Sequence, residues 1–255
     1  ADTIDVGTLT GTVVSDAAAG KVSVTSTGAD VATGITLGAI TVNGGTEITV
    51  NQYAGKTAGA GNNTGGAVTV NGNASTTTVT VNQTATANGA AATTTTAAVV
   101  GYTAGTVTIA DVNAGSATDA GTITTVTLKN YGNSTIDSGA LTTVNLEGTA
   151  GTLGITAGAL TTAKVDTLGL NLKGVVANAG GNAITVDSVY KTLNVKSSTT
   201  ASTITATNTD ATAINISGDA ALTLTVLNLG AAAGNEVITV TNTAGVTIGN
   251  ALATD

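Results

Sequence analysis

The sequence predicts an all-β fold, a parallel β-solenoid in which the chain winds into stacked coils. Three observations point to this fold. Short segments that alternate apolar and polar residues recur along the chain, a central segment repeats at a spacing close to 20 residues, and no stretch has a convincing helical pattern of apolar residues.

The alternating segments are three to five residues long and are bounded by Gly, Asn, Ser, Thr or Asp, as half-buried strands are. The stretch closest to a helix, Ala87–Val100, is too rich in Thr and Gly to hold one. The predicted strands are Lys21–Thr25, Ile40–Val42, Glu47–Val50, Ala67–Val70, Thr78–Val81, Thr106–Ile109, Thr125–Leu128, Thr143–Leu146, Leu168–Leu172, Ala183–Val186, Thr192–Val195, Ala213–Ile216, Leu222–Val226 and Val237–Val240.

The repeat favours a solenoid over a sandwich or a barrel. The segment Leu141–Gly148 (LTTVNLEG) follows the pattern of Ile123–Asn130 (ITTVTLKN) after 18 residues, and a third copy begins 19 residues later at Leu160. Leu193 and Ile214 repeat at 21 residues, and a coil of about 20 residues is typical of solenoids. With coils about 4.8 Å apart, we expect about a dozen coils and a rod of about 60 Å.

Stacked coils should align similar residues in columns. Asn145, Asn194 and Asn215 each lie between two apolar residues, so alternation places them on the outer face, where amides can hydrogen-bond along the rod. The predicted inward columns are Val126 with Val144 and Leu193, and Leu128 with Leu146 and Val195.

We divide the chain into two parts. Residues 1–110 form an irregular β segment, solenoid or sandwich-like, and residues 111–255 form the β-solenoid. Strands in Asn51–Ala98 are unevenly spaced, and we interpret Gly-Asn-Thr loops such as Gly59–Gly66 as decorations or an irregular sheet.

The composition excludes several functions. The chain carries a formal charge of −8 and contains no His, Cys or Arg, so it lacks the residues of a Ser-His-Asp triad, a Cys nucleophile or a common zinc site. Asp137 and Glu147 could pair as in a glycosidase, but nothing distinguishes them from solvated turn residues. We therefore predict no enzyme. An acidic chain without Arg does not suit nucleic acid, and no apolar run is long enough for membrane insertion.

Four segments carry a resemblance to a known family: Val68–Thr84, Ser134–Leu146, Ile214–Asp219 and Ile238–Gly249. In the same order, they are similar to the central region of surface-layer (S-layer) proteins of the Caulobacter type, and the resemblance covers most of residues 60–255. It implies a long right-handed β-solenoid of the RTX class. Such a protein is secreted by a type I system and assembles with calcium into a hexagonal sheet on the cell surface.

In that family an N-terminal part binds lipopolysaccharide, and the C-terminus carries glycine-aspartate repeats and the export signal. Neither part has a counterpart here, and the chain begins with Ala1 and no signal peptide. The resemblance therefore implies the lattice-forming segment of a longer extracellular protein. It would be a homo-oligomer in a hexameric lattice that meets lipopolysaccharide only through parts outside this chain. The alternative is a segment of a large secreted RTX adhesin.

The resemblance makes Ca²⁺ the expected cofactor, and calcium takes six to eight oxygen ligands. The RTX nonapeptide is absent, because the Gly-Gly pairs at Gly44, Gly65 and Gly180 all lack the glycine that its fourth position requires. Isolated loops remain as candidate sites, and the alternative is that their residues bond their own turns. The candidate ligands are Asp111, Asn113 and Asp119 in one loop, Asp210 with Asp219, and Asp166 with Asp187.

Overall fold

The fold is an all-β parallel solenoid, as predicted. A computed structural model describes residues 2–5, 13–14, 17–28, 34–55, 63–85, 102–160, 165–178, 181–208, 210–228 and 237–249. Two sheets of ten parallel strands account for most of these residues. Over the same ranges, no helix is long and apolar enough to cross a membrane.

Strands of the two large sheets alternate along the chain, so each coil gives one strand to each sheet. In spatial order, sheet 1 contains β1 (Asp2–Asp5), β3 (Val22–Thr27), β5 (Glu47–Tyr53), β8 (Thr78–Thr84), β11 (Thr125–Tyr131), β13 (Thr143–Ala150), β15 (Thr167–Ala177), β17 (Thr192–Ser197), β19 (Ala213–Gly218) and β21 (Val237–Val240). Sheet 2 contains β2 (Val13–Val14), β4 (Ile40–Asn43), β7 (Val68–Asn71), β10 (Val107–Ala110), β12 (Ser134–Asp137), β14 (Leu153–Thr156), β16 (Ala183–Val186), β18 (Ser202–Thr207), β20 (Leu222–Asn228) and β22 (Val246–Ile248). A small third sheet pairs β6 (Asn63–Thr64) with β9 (Tyr102–Thr103).

The core lies between the two large sheets and is almost entirely aliphatic. In β11, Val126 and Leu128 are fully buried, whereas Thr125 before them and Thr127 between them face outward. This alternation recurs from coil to coil, so buried Val, Ile and Leu side chains form one continuous cluster. Thin layers of small side chains suit a composition with only 2% aromatic residues.

The predicted inward columns are right at their start and wrong further along. Val126 pairs with Val144 as expected, but Val144 then pairs with Leu170, which pairs with Val195 rather than Leu193. The second predicted column is displaced by the same two residues. The cause is β15, whose coil does not keep the shorter repeat spacing. Because the displacement is even, the predicted residues still point inward.

Coil length varies widely while the pairing stays parallel. Stacked partners are 18 residues apart between Thr127 and Asn145, but 47 apart between Gln83 and Asn130. The described residues therefore form ten coils rather than a dozen. At a spacing of about 4.8 Å the rod is about 43 Å long.

The first part of the chain is the less regular one, because it contains the longest coil and the third sheet. Its strand pairs are parallel, the solenoid pattern rather than the sandwich pattern. The division into residues 1–110 and 111–255 stays a prediction. Strand β10, at the end of the first part, pairs with β7 of the first part and with β12 of the second. Ala87–Val100, residues 59–62 of the predicted loop, residues 161–162 of the third repeat copy and Gly180 lie outside the described residues.

Outward asparagines stack as predicted. The side-chain amide of Asn215 donates to the Asn194 oxygen at 2.9 Å, and Asn171 donates to Asn145 at 2.8 Å. Asn171, the partner of Asn145, was not predicted, and neither were the pairs Asn71 with Asn43 and Asn82 with Asn51. These contacts join successive coils outside the core and satisfy amides that an irregular surface would leave to water.

A column of glycines lies where the chain enters sheet 2, two residues before the strand in five successive coils. Its members are Gly38, Gly66, Gly105, Gly132 and Gly151. A Cβ atom on Gly66 would lie 2.1 Å from the Gly38 carbonyl oxygen, and one on Gly105 would lie 2.2 Å from that of Gly66. At this corner the backbones of stacked coils touch, so only glycine fits.

We expect Gly105→Ala to lower the free energy of unfolding by about 2 kcal/mol, because the added methyl group must push two coils apart. Gly115→Ala is the matched control, since a Cβ atom at Gly115 meets nothing within 4 Å. Urea unfolding measures both variants. Equal stability of the two would contradict the backbone contact at the glycine column.

Candidate functional site

Three carboxylates lie at one corner of the solenoid, where strands of sheet 2 end. Asp137 is the last residue of β12, and Asp111 and Asp187 directly follow β10 and β16. Asp137 stacks on Ala110 in the preceding coil and on Thr156 in the following one. We call Asp111, Asp137 and Asp187 the acidic corner.

Asp111 is 5% exposed, and its carboxylate accepts several hydrogen bonds. Backbone N–H groups of Val112, Thr122 and Ile123 each donate to it at 2.7 Å. The Ser138 hydroxyl, from the next coil, donates at 2.9 Å. The carboxylate thus closes its loop and ties it to the neighbouring coil, and a metal ion would have to displace these donors.

The carboxylate of Asp137, unlike that of Asp111, is not fully satisfied by hydrogen bonds. Its Oδ1 atom is buried and has no hydrogen-bond partner. Burial raises the pKa of Asp137, the Asp187 and Asp111 charges raise it further, and hydrogen bonds from Thr156 and Gly158 partly offset the rise. A carboxylate held near two others in this way favours a proton or a cation. Asp137 is not among the ligands that the sequence predicts, and only the stacking of coils shows that it lies at the same corner as Asp111 and Asp187.

Each of the predicted ligands other than Asp111 also has a hydrogen-bond or ion-pair partner within the chain. Asp187 accepts hydrogen bonds from the N–H groups of Val189 and Ala157, both at 3.1 Å. The remaining contacts are Asp119 with the Gly121 N–H, the Asn113 carbonyl with the Ser116 N–H, Asp166 with the Thr167 hydroxyl, Asp210 with the Lys191 ammonium and Asp219 with the Thr199 N–H. The contacts of Asn113, Asp119 and Asp166 match the alternative that these are turn residues, whereas Asp210 and Asp219 contact residues of the preceding coil.

The predicted ligands do not converge on one site. Asp210 and Asp219 lie at opposite ends of β19, and Asp111 is held by its own loop and Ser138. Across the described ranges, no three acidic side chains are grouped so that they could hold a metal ion. Calcium binding by Asp111, Asn113, Asp119, Asp166, Asp187, Asp210 and Asp219 stays a prediction.

Glu147 forms the largest ion-pair group on the outer face of sheet 1. Its carboxylate contacts the ammonium of Lys129 at 2.9 Å and that of Lys173 at 3.3 Å, one from each neighbouring coil. Partial burial raises the pKa of Glu147, but the two lysines outweigh it and hold the pKa below its ordinary value. Asp137 stands in sheet 2, so the two carboxylates considered for a glycosidase belong to different sheets.

Comparison with models of known protein families finds no match, and comparison with curated protein sequences finds none. The case for a function therefore rests on the geometry and on the sequence resemblance.

We expect Asp111→Asn to lower the free energy of unfolding by about 1–3 kcal/mol, because an amide NH₂ group would face N–H donors in a buried site. Asp119→Asn is the control, because Asp119 is exposed and accepts one long bond of 3.3 Å. Thermal unfolding followed by circular dichroism compares the two. A loss no larger than that of the control would contradict the structural role of Asp111.

The raised pKa of Asp137 predicts a pH-dependent effect of Asp137→Asn. The folded state binds this proton more tightly than the unfolded state, so the stability it contributes is present below the ordinary pKa of 3.8 and is lost as pH rises through the folded-state pKa. The variant should therefore raise Tm at neutral pH and leave it nearly unchanged at about pH 2.5. A lower Tm at neutral pH would contradict the repulsion within the acidic corner.

Proposed function

We propose that this chain is a lattice-forming segment of a bacterial surface layer, a structural protein without catalytic activity. It would self-assemble at the cell surface into a calcium-dependent two-dimensional lattice of hexameric units. The observation that supports this best is the pair of continuous ten-stranded parallel sheets. They give a rod whose two broad faces can be covered by neighbouring copies.

The outer faces suit lateral contact between copies. They carry short side chains, mainly Thr, Asn and Ser, in straight columns such as Thr41, Thr69, Thr108 and Thr135. A flat face of short side chains lets two rods approach closely with little loss of side-chain entropy. Exposed Val237, Val240 and Ile248 in the last described coil add apolar surface at one end.

Charge supports a role for calcium between copies. Chains with a formal charge of −8 repel one another, and divalent cations can bridge or screen them. Because the predicted ligands do not converge on one site within the chain, we place the calcium effect at contacts between copies, where carboxylates of the acidic corner would act together with groups of a neighbouring copy. Secretion by a type I system and contact with lipopolysaccharide through other parts of a longer protein belong to the same proposal. So does the absence of nucleic-acid binding and of membrane insertion.

Electron microscopy of the purified protein tests the proposal. We expect ordered arrays with calcium and their loss with a chelator, while magnesium should support them poorly because it loses its bound water reluctantly. A chain that stays monomeric with calcium and binds a receptor or surface would be an adhesin segment instead. Absence of arrays at every calcium concentration, with the full parent chain present, would overturn the lattice function.

A matched set of variants locates the calcium effect. Asp137→Asn combined with Asp187→Asn should raise the calcium concentration needed for arrays, because two of the three carboxylates of the acidic corner are neutralised. Asp119→Asn, which removes one charge elsewhere, should change it little. If all variants behave alike, general screening rather than the acidic corner sets the calcium requirement.

A further inference from the structure

The interior of the first coils contains a column of polar side chains that the predicted function does not use. Ser26, Gln52 and Gln83 stack on one another in β3, β5 and β8, and each lies two residues after an inward-facing valine of its strand. They are 1%, 0% and 0% exposed. In a core that is mostly aliphatic, three consecutive coils therefore place polar side chains at one position.

The two glutamines make the same contact one coil apart. The Gln52 amide donates to the Gly38 carbonyl at 3.2 Å, and the Gln83 amide donates to the Gly66 carbonyl at 3.4 Å. Both glutamines therefore donate a hydrogen bond from the side-chain NH₂ group to a backbone carbonyl of the glycine column. Their Oε1 atoms point elsewhere in the interior and have no hydrogen-bond partner.

Three further buried oxygens share this condition: the hydroxyls of Ser26, Tyr102 and Tyr131. The Tyr102 hydroxyl and Gln83 Oε1 face the same point, 2.5 and 3.2 Å from where a Cβ atom on Gly65 would lie. Glycine at position 65 lets these two oxygens approach its backbone, because a Cβ atom there would collide with the Tyr102 hydroxyl. Tyr131 belongs to the coil that follows Gln83 and is 1% exposed.

Loose packing does not explain these five oxygens. Asn63 is also 1% exposed in this part of the molecule, and both polar atoms of its side chain have a partner. It accepts from the Ile35 N–H at 3.0 Å and donates to the Gly55 carbonyl at 3.2 Å. Buried polar atoms without a protein partner are uncommon, and those in a roomy polar site generally hold ordered water.

We propose that ordered water molecules occupy this polar column and bridge Ser26, Gln52, Gln83 and the Tyr102 hydroxyl. Water fits the chemistry because it donates to the glutamine oxygens, which only accept, and accepts from the hydroxyls, which can donate. Burial raises the pKa of the Tyr102 hydroxyl, so it keeps its proton and can donate. The column contains no carboxylate, so it lacks the charged ligands that a divalent cation prefers.

Oxygen-17 magnetic relaxation dispersion of the intact chain tests the proposal. We expect a component from water that exchanges slowly, and its loss of at least half in the double variant Gln52→Met with Gln83→Met. The control is Asn51→Met with Asn82→Met, the stacked pair one residue earlier on the outer face, which should leave the component unchanged. Absence of slow water in the wild type, or its full retention in the glutamine variant, would overturn the proposal. A component that disappears when sodium and potassium are removed would assign the column to a cation and also overturn it.

Tyr102→Phe gives a second test that depends only on the sign of a stability change. If water binds the hydroxyl, its removal should lower Tm, whereas removal of a hydroxyl buried without a partner should raise Tm. Tyr53→Phe, on an outward-facing tyrosine, is the control and should change Tm little. A rise in Tm for Tyr102→Phe would contradict the water column even if the glutamine variants did not fold.

Discussion

The backbone hydrogen bonds between coils, with their spacing of about 4.8 Å, are the constraint on which the rest of the structure depends. Each strand must find the next strand of its own sheet at this distance along its whole length. Side chains that stack at this spacing have to be small, or they have to form hydrogen bonds with identical side chains in the neighbouring coils. The aliphatic core, the paired asparagines and the glycine column are three ways of meeting that requirement.

The same constraint explains what could be predicted from the sequence. Alternation identifies strands with two inward aliphatic residues, such as β11 and β13, and it places Asn194 and Asn215 on the outer face. It does not find β14, where Gly154 replaces an outward side chain, or β18, which is mostly Ser and Thr. The alternation also does not fix the number of residues between one coil and the next, because the residues at the corners follow no regular pattern. The error in the inward columns arises at β15 for this reason.

The candidate site was harder to predict than the fold, for a related reason. The sequence indicates that Asp111 belongs to a polar loop, but its partner Ser138 is 27 residues away and comes from the following coil. The importance of Asp137 arises only when coils stack and bring Asp111 and Asp187 near it. Local patterns identify residues that suit a turn. They do not show which turns lie next to each other in the folded chain. The stacking of coils decides whether a carboxylate finds hydrogen-bond donors.

Differences in coil length have a consequence for how such a chain can change over generations or be redesigned. Steps of 18 and 47 residues coexist in one sheet, so additional sequence can leave the rod at a corner and return without altering the strands. A single residue inserted within a strand would instead turn its remaining aliphatic side chains outward. Corners are thus the natural places to graft foreign peptides for display, and the strand interiors are the places where insertions are least tolerated.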